Sequence, residues 1–345
     1  MMVPHIALVA ALLLAGCSGG GGGSSTVPGA PIGSPPTTGQ PPAPQPPSPP
    51  TVPAAPVERE VAPLATNPAI SRNFEVHVAV TPPGSVAARG KLLVMLPGSG
   101  TPADPYRLIL RTAAASGVHA VALTYANDTT VADICVGPDP DCPGDVRREI
   151  ITGEDRSSRV AVSGADSIEG RLRALVAHLH ANYPTEGWDR FLFGGNPDWQ
   201  RIIVAGHSQG AGHAAYIGKM YLVDRIGMFA GPGDAPGSRW LDLPAVTPAE
   251  RMYGLAHQGD ELVSLSRALA NWDRLGLPAF GPSVVVDGQS PPFAGSRMLL
   301  TAVVPRPVPR VAAPNHSAMV VDALTPLDGS GAPALAPVWR TMLFP

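Results

Sequence analysis

Lys, Arg, Asp and Glu are absent from the first 57 residues of this 345-residue chain, and Glu58 is the first of them. Cysteine is scarce, with three in the whole chain, and no group of Cys and His has the spacing of a zinc site. The chain also lacks a G-x-x-x-x-G-K-[ST] phosphate-binding loop. Its net charge of -3 comes without a basic cluster, which argues against a nucleic-acid partner. We therefore expect no metal and no cofactor.

The uncharged beginning carries one short apolar run. Residues 6–16 (IALVAALLLAG) are too few to span a bilayer but match the core of a secretory signal. The run ends in Leu14-Ala15-Gly16, directly before Cys17, which resembles the lipobox of bacterial lipoproteins, although no Lys or Arg precedes it. The resemblance implies a signal peptide over 1–16 and a lipid on Cys17. The protein would then be exported and held in the bacterial cell envelope, facing the periplasm or at the outer membrane, by that lipid alone. A plain cleaved signal followed by a chance cysteine is the alternative.

The next segment is dominated by two residue types. Of residues 18–56, 21 of 39 are Gly or Pro, and none is charged. Such a composition cannot bury enough apolar surface to offset the entropy of ordering the chain. We expect residues 17–56 to form a disordered tether that leads to one catalytic domain over 57–345, a length within the range of a single large α/β domain.

The two remaining cysteines lie seven positions apart. Cys135 and Cys142 share a loop rich in Pro, Gly and Asp. In an exported protein such a pair favours a loop-closing disulfide over a metal site or a nucleophile. The nearby acids lack the spacing of a calcium loop and are interpreted as solvated: Asp133, Asp139, Asp141 and Asp145.

Short apolar runs alternate with helical patterns between residues 74 and 320, which indicates a mostly parallel sheet with helices on both faces. The predicted strands are 74–80, 91–96, 118–125, 201–206, 226–230, 251–256 and 297–304. The predicted helices are 104–116, 167–182, a helix from about 209, 261–275 and 318–324. The segments 126–165, 231–249 and 276–296 are predicted loops and are too short for a large cap domain.

The segment RIIVAGHSQGAGHAAYIGKM, residues 201–220, places a serine between a buried strand and a helix. The G-x-S-x-G pattern alone is weak evidence in a chain with 38 glycines, but the strand before it and the helix after it are not supplied by composition. A tight strand-to-helix turn takes a strained backbone and exposes the Ser208 hydroxyl at the carboxyl edge of the sheet. Gly206 and Gly210 lack side chains and let the two elements approach each other. This pattern predicts a nucleophile at Ser208.

A serine needs a histidine to accept its proton and an acid to orient that histidine. His316 is the predicted base, because it follows the last strand and every candidate acid, whereas His257, His207 and His213 fit structural roles better. Asp260, at the end of a predicted strand, is the favoured acid.

Two other acids remain open as the partner of His316. Asp234 follows the preceding strand, and Glu261 is next to Asp260. Trp240, in the 231–249 loop, either walls the substrate cleft or packs in the interior.

The order along the chain of a serine in a strand-to-helix turn, an acid and a histidine resembles that of the α/β-hydrolase superfamily, over residues 74–324. Within this superfamily, the chain resembles secreted bacterial serine esterases and lipases. The resemblance implies an α/β-hydrolase fold without a large cap. It also implies an oxyanion hole formed by the N–H groups of Gln209 and of Ser99 in the Pro97–Gly100 turn. It predicts an exported serine hydrolase that cleaves short-chain or polymeric esters. Amide or peptide cleavage by the same triad, or a non-catalytic envelope binding protein on a hydrolase scaffold, are the alternatives.

Overall fold

The computed structural model describes residues 55–345, so the predicted signal peptide, Cys17 and nearly all of the predicted tether lie outside the described residues. Nine strands form one sheet in the order β1-β2-β4-β3-β7-β8-β9-β11-β10, and β5 and β6 form a separate hairpin. Only β2 runs antiparallel to its neighbours β1 and β4, and the other neighbouring pairs are parallel. The strands are β1 (Val57–Val61), β2 (His77–Thr81), β3 (Leu92–Leu96), β4 (His119–Ala122), β5 (Leu192–Phe193), β6 (Asn196–Pro197), β7 (Ile202–His207), β8 (Arg225–Phe229), β9 (Met252–His257), β10 (Val284–Val285) and β11 (Met298–Thr301).

Helices cover both faces of this sheet. The helices are α1 (Pro63–Thr66), α2 (Arg107–Ala115), α3 (Val131–Ile134), α4 (Cys142–Thr152), α5 (Ile168–Asn182), α6 (Gln209–Met220), α7 (Leu265–Arg274), α8 (Pro314–Ser317) and α9 (Ala336–Leu343). None of the helices in the part of the chain that the structure describes is long and apolar enough to cross a membrane.

The central strands are buried on both faces because their side chains alternate between two cores. In β3, Leu92, Val94 and Leu96 join the core under α4, α5, α6 and α7, whereas Leu93 and Met95 join the core under α2 and α9. Such strands have continuous apolar sequences, which is why the pattern of the chain predicts them. The predicted class, a mostly parallel sheet with helices on both faces, is confirmed, and residues 55–345 contain no large cap domain.

The helix prediction is wrong in two places and incomplete in a third. The predicted loop 126–165 contains α3 and the eleven-residue α4, whose first residues Cys-Pro-Gly-Asp have the composition of a turn. The predicted helix 318–324 forms turns, and the helical residues are instead the four of α8 just before it. Helix α9, which packs against α2 and β8, was not predicted.

The predicted bond between Cys135 and Cys142 is present. It joins the C-terminal end of α3 to the first residue of α4. The disulfide therefore closes the loop between two helices that pack beside α6, the helix that follows Ser208.

Candidate active site

Ser208 sits in a strained turn between β7 and α6. Its backbone angles are φ 55° and ψ -115°, a region that residues with a side chain rarely occupy. A Cβ added to Gly206 would lie 2.0 Å from the carbonyl oxygen of Gly210, and a Cβ added to Gly210 would lie 2.1 Å from the carbonyl oxygen of Leu96. The turn can therefore close only with glycine at both positions. It leaves Ser208 half-buried while the residues on either side are buried.

His316 and Asp260 form a buried pair. Nδ1 of His316 lies 2.9 Å from Oδ1 and 2.9 Å from Oδ2 of Asp260, and both side chains are almost inaccessible to solvent. Asp260 Oδ1 also accepts the N–H groups of Leu262 and Val263 at 2.8 Å each. Burial acts to raise the pKa of Asp260, yet the hydrogen bond and charge of His316, together with these two N–H groups, hold that pKa below its usual value. Asp260 is thus a carboxylate that accepts a hydrogen bond from the Nδ1–H of His316.

The other two candidate acids are engaged elsewhere. Asp234 forms a buried ion pair with Arg147, at 2.6 Å between Oδ2 and Nη2, and accepts Trp240 Nε1–H at 2.9 Å. Glu261 accepts the backbone N–H groups of Asn315 and His316 at 3.1 Å and 2.9 Å. Of the three acids, Asp260 is the one whose carboxylate contacts the imidazole. Glu261 instead holds the backbone of the His316 loop.

The imidazole of His316 lies beside the serine turn. The centroid of this ring is 4.9 Å from that of His207, the residue before Ser208. The backbone carbonyl oxygen of His316 is 3.0 Å from His207 Nε2. Nε2 of His316 is buried and has no hydrogen-bond partner among residues 55–345. Because Nδ1 faces a carboxylate, which only accepts, Nδ1 carries a proton, and in the neutral ring Nε2 is then the nitrogen with the free lone pair. The structure has no hydrogen bond between this Nε2 and Ser208. In enzymes without substrate, catalytic hydrogen bonds of this kind are often long or poorly aligned, and they tighten when substrate binds.

Ser99 and Gln209 each present a free backbone N–H. The neighbouring N–H groups in the Ser99 turn are taken, that of Gly98 by the Tyr106 hydroxyl at 3.1 Å and that of Gly100 by the Asn127 carbonyl at 2.8 Å. Among the described residues, no acceptor is recorded for the N–H of Ser99 or for that of Gln209 at the start of α6. The two side chains are joined as well, since Ser99 Oγ donates to Gln209 Oε1 at 2.8 Å. The turn and the start of α6 are therefore held side by side, with one unused donor each.

Asn127, which the sequence analysis did not single out, fixes the direction of the Ser99 N–H. Its Nδ2 donates to the carbonyl oxygens of Gly98, at 2.6 Å, and Thr101, at 2.9 Å. In a planar trans peptide the N–H points opposite to the C=O. Holding the Gly98 carbonyl therefore aims the Ser99 N–H away from Asn127. Asn127 follows a predicted strand, but no local pattern links it to a turn 29 residues earlier.

The remaining side chains that were weighed as candidates have structural contacts. His257 bonds the carbonyl of Val303 and the N–H of Gly259. His213 is fully buried and stacks edge-on against Tyr125. Trp240 is buried and does not wall a cleft. Within residues 55–345, no group of three or more His, Cys, Asp or Glu side chains could hold a metal ion.

Comparison with known proteins adds little to this geometry. No family model matches the chain, and no curated protein matches it. Among solved structures, the chain is similar to a protein of Xanthomonas campestris described as a member of the α/β serine hydrolases without a lid, with 12% identity over 72% of this chain and 84% of that one. The TM-score of that match is 0.35, so the likeness carries no argument about this chain. The site is therefore interpreted from its own residues.

Proposed function

We propose that the protein is a serine hydrolase that cleaves carboxylic esters through an acyl-enzyme on Ser208. The observation that carries the proposal is the buried Asp260–His316 pair, with Nδ1 2.9 Å from both carboxylate oxygens, at the sheet edge where Ser208 occupies its strained turn. These groups come from the ends of β7, β9 and β11, which lie parallel and end at the same edge. An acid, a base and a hydroxyl so arranged form a serine nucleophile system.

In the acylation step, Ser208 Oγ attacks the ester carbonyl carbon as its proton passes to His316 Nε2. Asp260 keeps the Nδ1 tautomer in place and stabilises the imidazolium that forms. The tetrahedral oxyanion accepts the N–H groups of Ser99 and Gln209, the two donors left unused in the structure. The carbon–oxygen bond to the leaving group then breaks, and His316 Nε2–H protonates the departing alcohol.

In the deacylation step, His316 Nε2 takes a proton from water, whose oxygen attacks the acyl carbon. The bond to Ser208 Oγ breaks, Oγ recovers the proton from His316, and a carboxylic acid leaves. The same two N–H groups stabilise the second oxyanion. Each side chain thus returns to its starting protonation state without a cofactor.

We propose short-chain or polymeric esters as the substrate class. Ser208 is half-buried, and residues 55–345 contain no large cap domain above it. Without such a cap, the described chain offers no large apolar cover for a long acyl chain, so we propose a shallow cleft that accepts small esters or a polymer strand. We further propose that the enzyme is exported and lipid-anchored, as the Cys17 motif indicates. The Cys135–Cys142 disulfide is typical of a protein outside the cytosol.

Covalent labelling tests the proposal most directly. The wild-type protein is expected to react with a fluorophosphonate probe and to hydrolyse chromogenic esters, because Ser208 is activated by His316. Ser208→Ala should lose both, with a fall in kcat of about 10⁴-fold or more. Ser116→Ala is the matched control, since Ser116 is also half-buried and ends α2 just before the start of β4, at the opposite edge of the sheet, and its loss should leave labelling intact. Full esterase activity in Ser208→Ala would reject the proposal.

A substrate panel tests the class of bond and of acyl group. We expect kcat/KM to be highest for short acyl chains in a series of p-nitrophenyl esters of increasing length, because no cap domain supplies apolar walls for a long chain. Esters are expected to be cleaved faster than matched p-nitroanilides of the same acyl group. A clear optimum at long chains would contradict the shallow cleft, and faster anilide cleavage would favour an amidase.

A further inference from the structure

His207, the residue before the serine, is hydrogen-bonded to two separate loops of the proposed site. Its Nε2 lies 3.0 Å from the carbonyl oxygen of His316, and its Nδ1 lies 3.0 Å from the Tyr106 hydroxyl. The same hydroxyl accepts the N–H of Gly98 at 3.1 Å, in the turn that carries the Ser99 N–H. A continuous chain of hydrogen bonds therefore connects the Ser99 turn to the His316 loop through the residue next to Ser208.

Only one arrangement of protons satisfies this chain. The His316 carbonyl can only accept, so His207 Nε2 must carry a proton. Burial is the main cause that lowers the pKa of His207 to about 3, so the ring is neutral and Nδ1 is bare near neutral pH. Nδ1 must then accept the Tyr106 O–H, which leaves the Tyr106 oxygen to accept the Gly98 N–H. Donors and acceptors are thus matched along the whole chain.

The site of these contacts is closely packed and buried. His207 and Tyr106 are both buried, and a Cβ added to Gly98 would lie 3.0 Å from His207 Nδ1 and 3.3 Å from Ser208 Cβ. An apolar side chain at position 207 would leave the His316 carbonyl without its donor and the Tyr106 O–H without its acceptor, both in a buried place. Unpaired buried groups of this kind are costly, and the loops that carry them would shift to relieve the loss.

We infer that His207 is a positioning residue that sets the His316 ring and, through Tyr106, the Ser99 N–H in register with Ser208. This inference rests on the proposed function. His207 takes no part in proton transfer, because its two ring nitrogens are engaged by the His316 carbonyl and the Tyr106 hydroxyl. Its effect is geometric, and a displacement of about 1 Å at such a site can cost about 10²-fold in rate.

The experiment compares variants at position 207 with a matched histidine elsewhere. His207→Leu should lower kcat about 100-fold with KM within threefold of wild type, whereas His207→Gln, whose amide can still donate to the His316 carbonyl, should recover about half of the loss on a logarithmic scale. His119 is the control, because it is also buried and bonds a backbone carbonyl, that of Glu186 at 2.9 Å, at the start of β4 on the opposite sheet edge. His119→Leu should lower the melting temperature and leave kcat unchanged.

The Tyr106 arm has its own readout. Tyr106→Phe keeps the ring but removes the hydroxyl that joins Gly98 to His207, so it should lower kcat about 10-fold. It should also raise the inhibition constant of a transition-state analogue, such as a boronic acid, by the same factor while KM stays constant. A structural loss alone would not couple these two quantities.

Proton NMR gives a test that does not depend on turnover. The downfield Nδ1–H resonance of the His316–Asp260 pair should be sharp in wild type and His207→Gln and broadened or lost in His207→Leu. Wild-type kcat together with an unchanged resonance in His207→Leu would overturn the inference. If the wild type has no Ser208-dependent hydrolysis, the proposed function fails instead, and the resonance still decides whether His207 positions His316.

Discussion

Asp260→Asn is expected to lower kcat by about 10⁴-fold while the protein stays folded. The asparagine side chain has nearly the same shape, but its NH₂ group can donate to Nδ1 and so favours the wrong tautomer, with the proton on Nε2. His316 could then no longer accept the Ser208 proton. Removing the charge also removes the stabilisation of the imidazolium. Ester hydrolysis under saturating substrate measures the effect, and chemical denaturation checks the folded state.

Asp234→Asn is the contrasting variant, because Asp234 is the open alternative for the acid. Its loss leaves Arg147 buried without a counter-charge, since the two groups lie 2.6 Å apart with side chains nearly inaccessible to solvent. Breaking such a pair costs about 3–5 kcal/mol in the free energy of unfolding. We therefore expect Asp234→Asn to lower stability and to retain kcat per folded molecule. The reverse pattern, in which Asp234→Asn abolishes kcat and Asp260→Asn does not, would assign the acid to Asp234.

Acid is expected to unfold the protein steeply, because four histidines are buried in neutral form. Burial is the main cause that lowers the pKa of His77 to about 3, of His119 to about 4 and of His207 to about 3, and it holds that of His213 well below its usual value. In the unfolded chain the same groups titrate near 6.5. Near pH 5 these four groups therefore bind close to four more protons in the unfolded state than in the native state.

The sign follows from proton linkage. Stability rises with pH wherever the unfolded state binds more protons, so it is fully present above pH 6.5 and is lost as the pH falls. Each proton changes the free energy of unfolding by about 1.4 kcal/mol per pH unit, so the four histidines contribute about 5 kcal/mol per unit near pH 5. The carboxyl of Asp322, whose pKa burial raises to about 6, offsets about 1 kcal/mol per unit of this slope. Urea denaturation at several pH values measures this slope. His119→Gln should reduce it by about one quarter, and a flat profile between pH 6.5 and 5 would contradict the prediction.

The sequence pattern predicts the central strands well because each is buried on both faces. Strand β3 consists entirely of apolar residues and β7 contains no polar side chain before His207, and parallel pairing requires the helices that separate such strands. The elements that were missed lack this signal. Helix α4 begins with Cys-Pro-Gly-Asp and buries Arg147 and Glu149, so its sequence resembles a solvated loop. Arg147 is satisfied by Asp234 and the carbonyl of Gln209, and Glu149 by backbone N–H groups of residues 156–162, all of which lie outside α4.

The proposed site also has one part that the sequence predicts and one part that it does not. The place of Ser208 in a strand-to-helix turn could be predicted, because the strand, the two glycines and the helix are adjacent in sequence. The order of the remaining polar residues narrowed the acid to three candidates, and no local pattern could select among them. The distances in the structure distinguish the three acids. Asp260 contacts His316, whereas Asp234 contacts Arg147 and Glu261 contacts backbone N–H groups.

Local physics along the chain decided where strands begin, where the tight turn lies and which histidine and acids could serve it, because burial and turn geometry act over neighbouring residues. Tertiary structure alone decided the pairing of these groups and the contacts of Tyr106, Asn127 and His207. Each of these three residues has at least one hydrogen-bond partner that is 29 or more positions away in the sequence. His207 and the His316 carbonyl, for example, are 109 positions apart. A buried polar group must find a partner, but the fold determines which one it reaches.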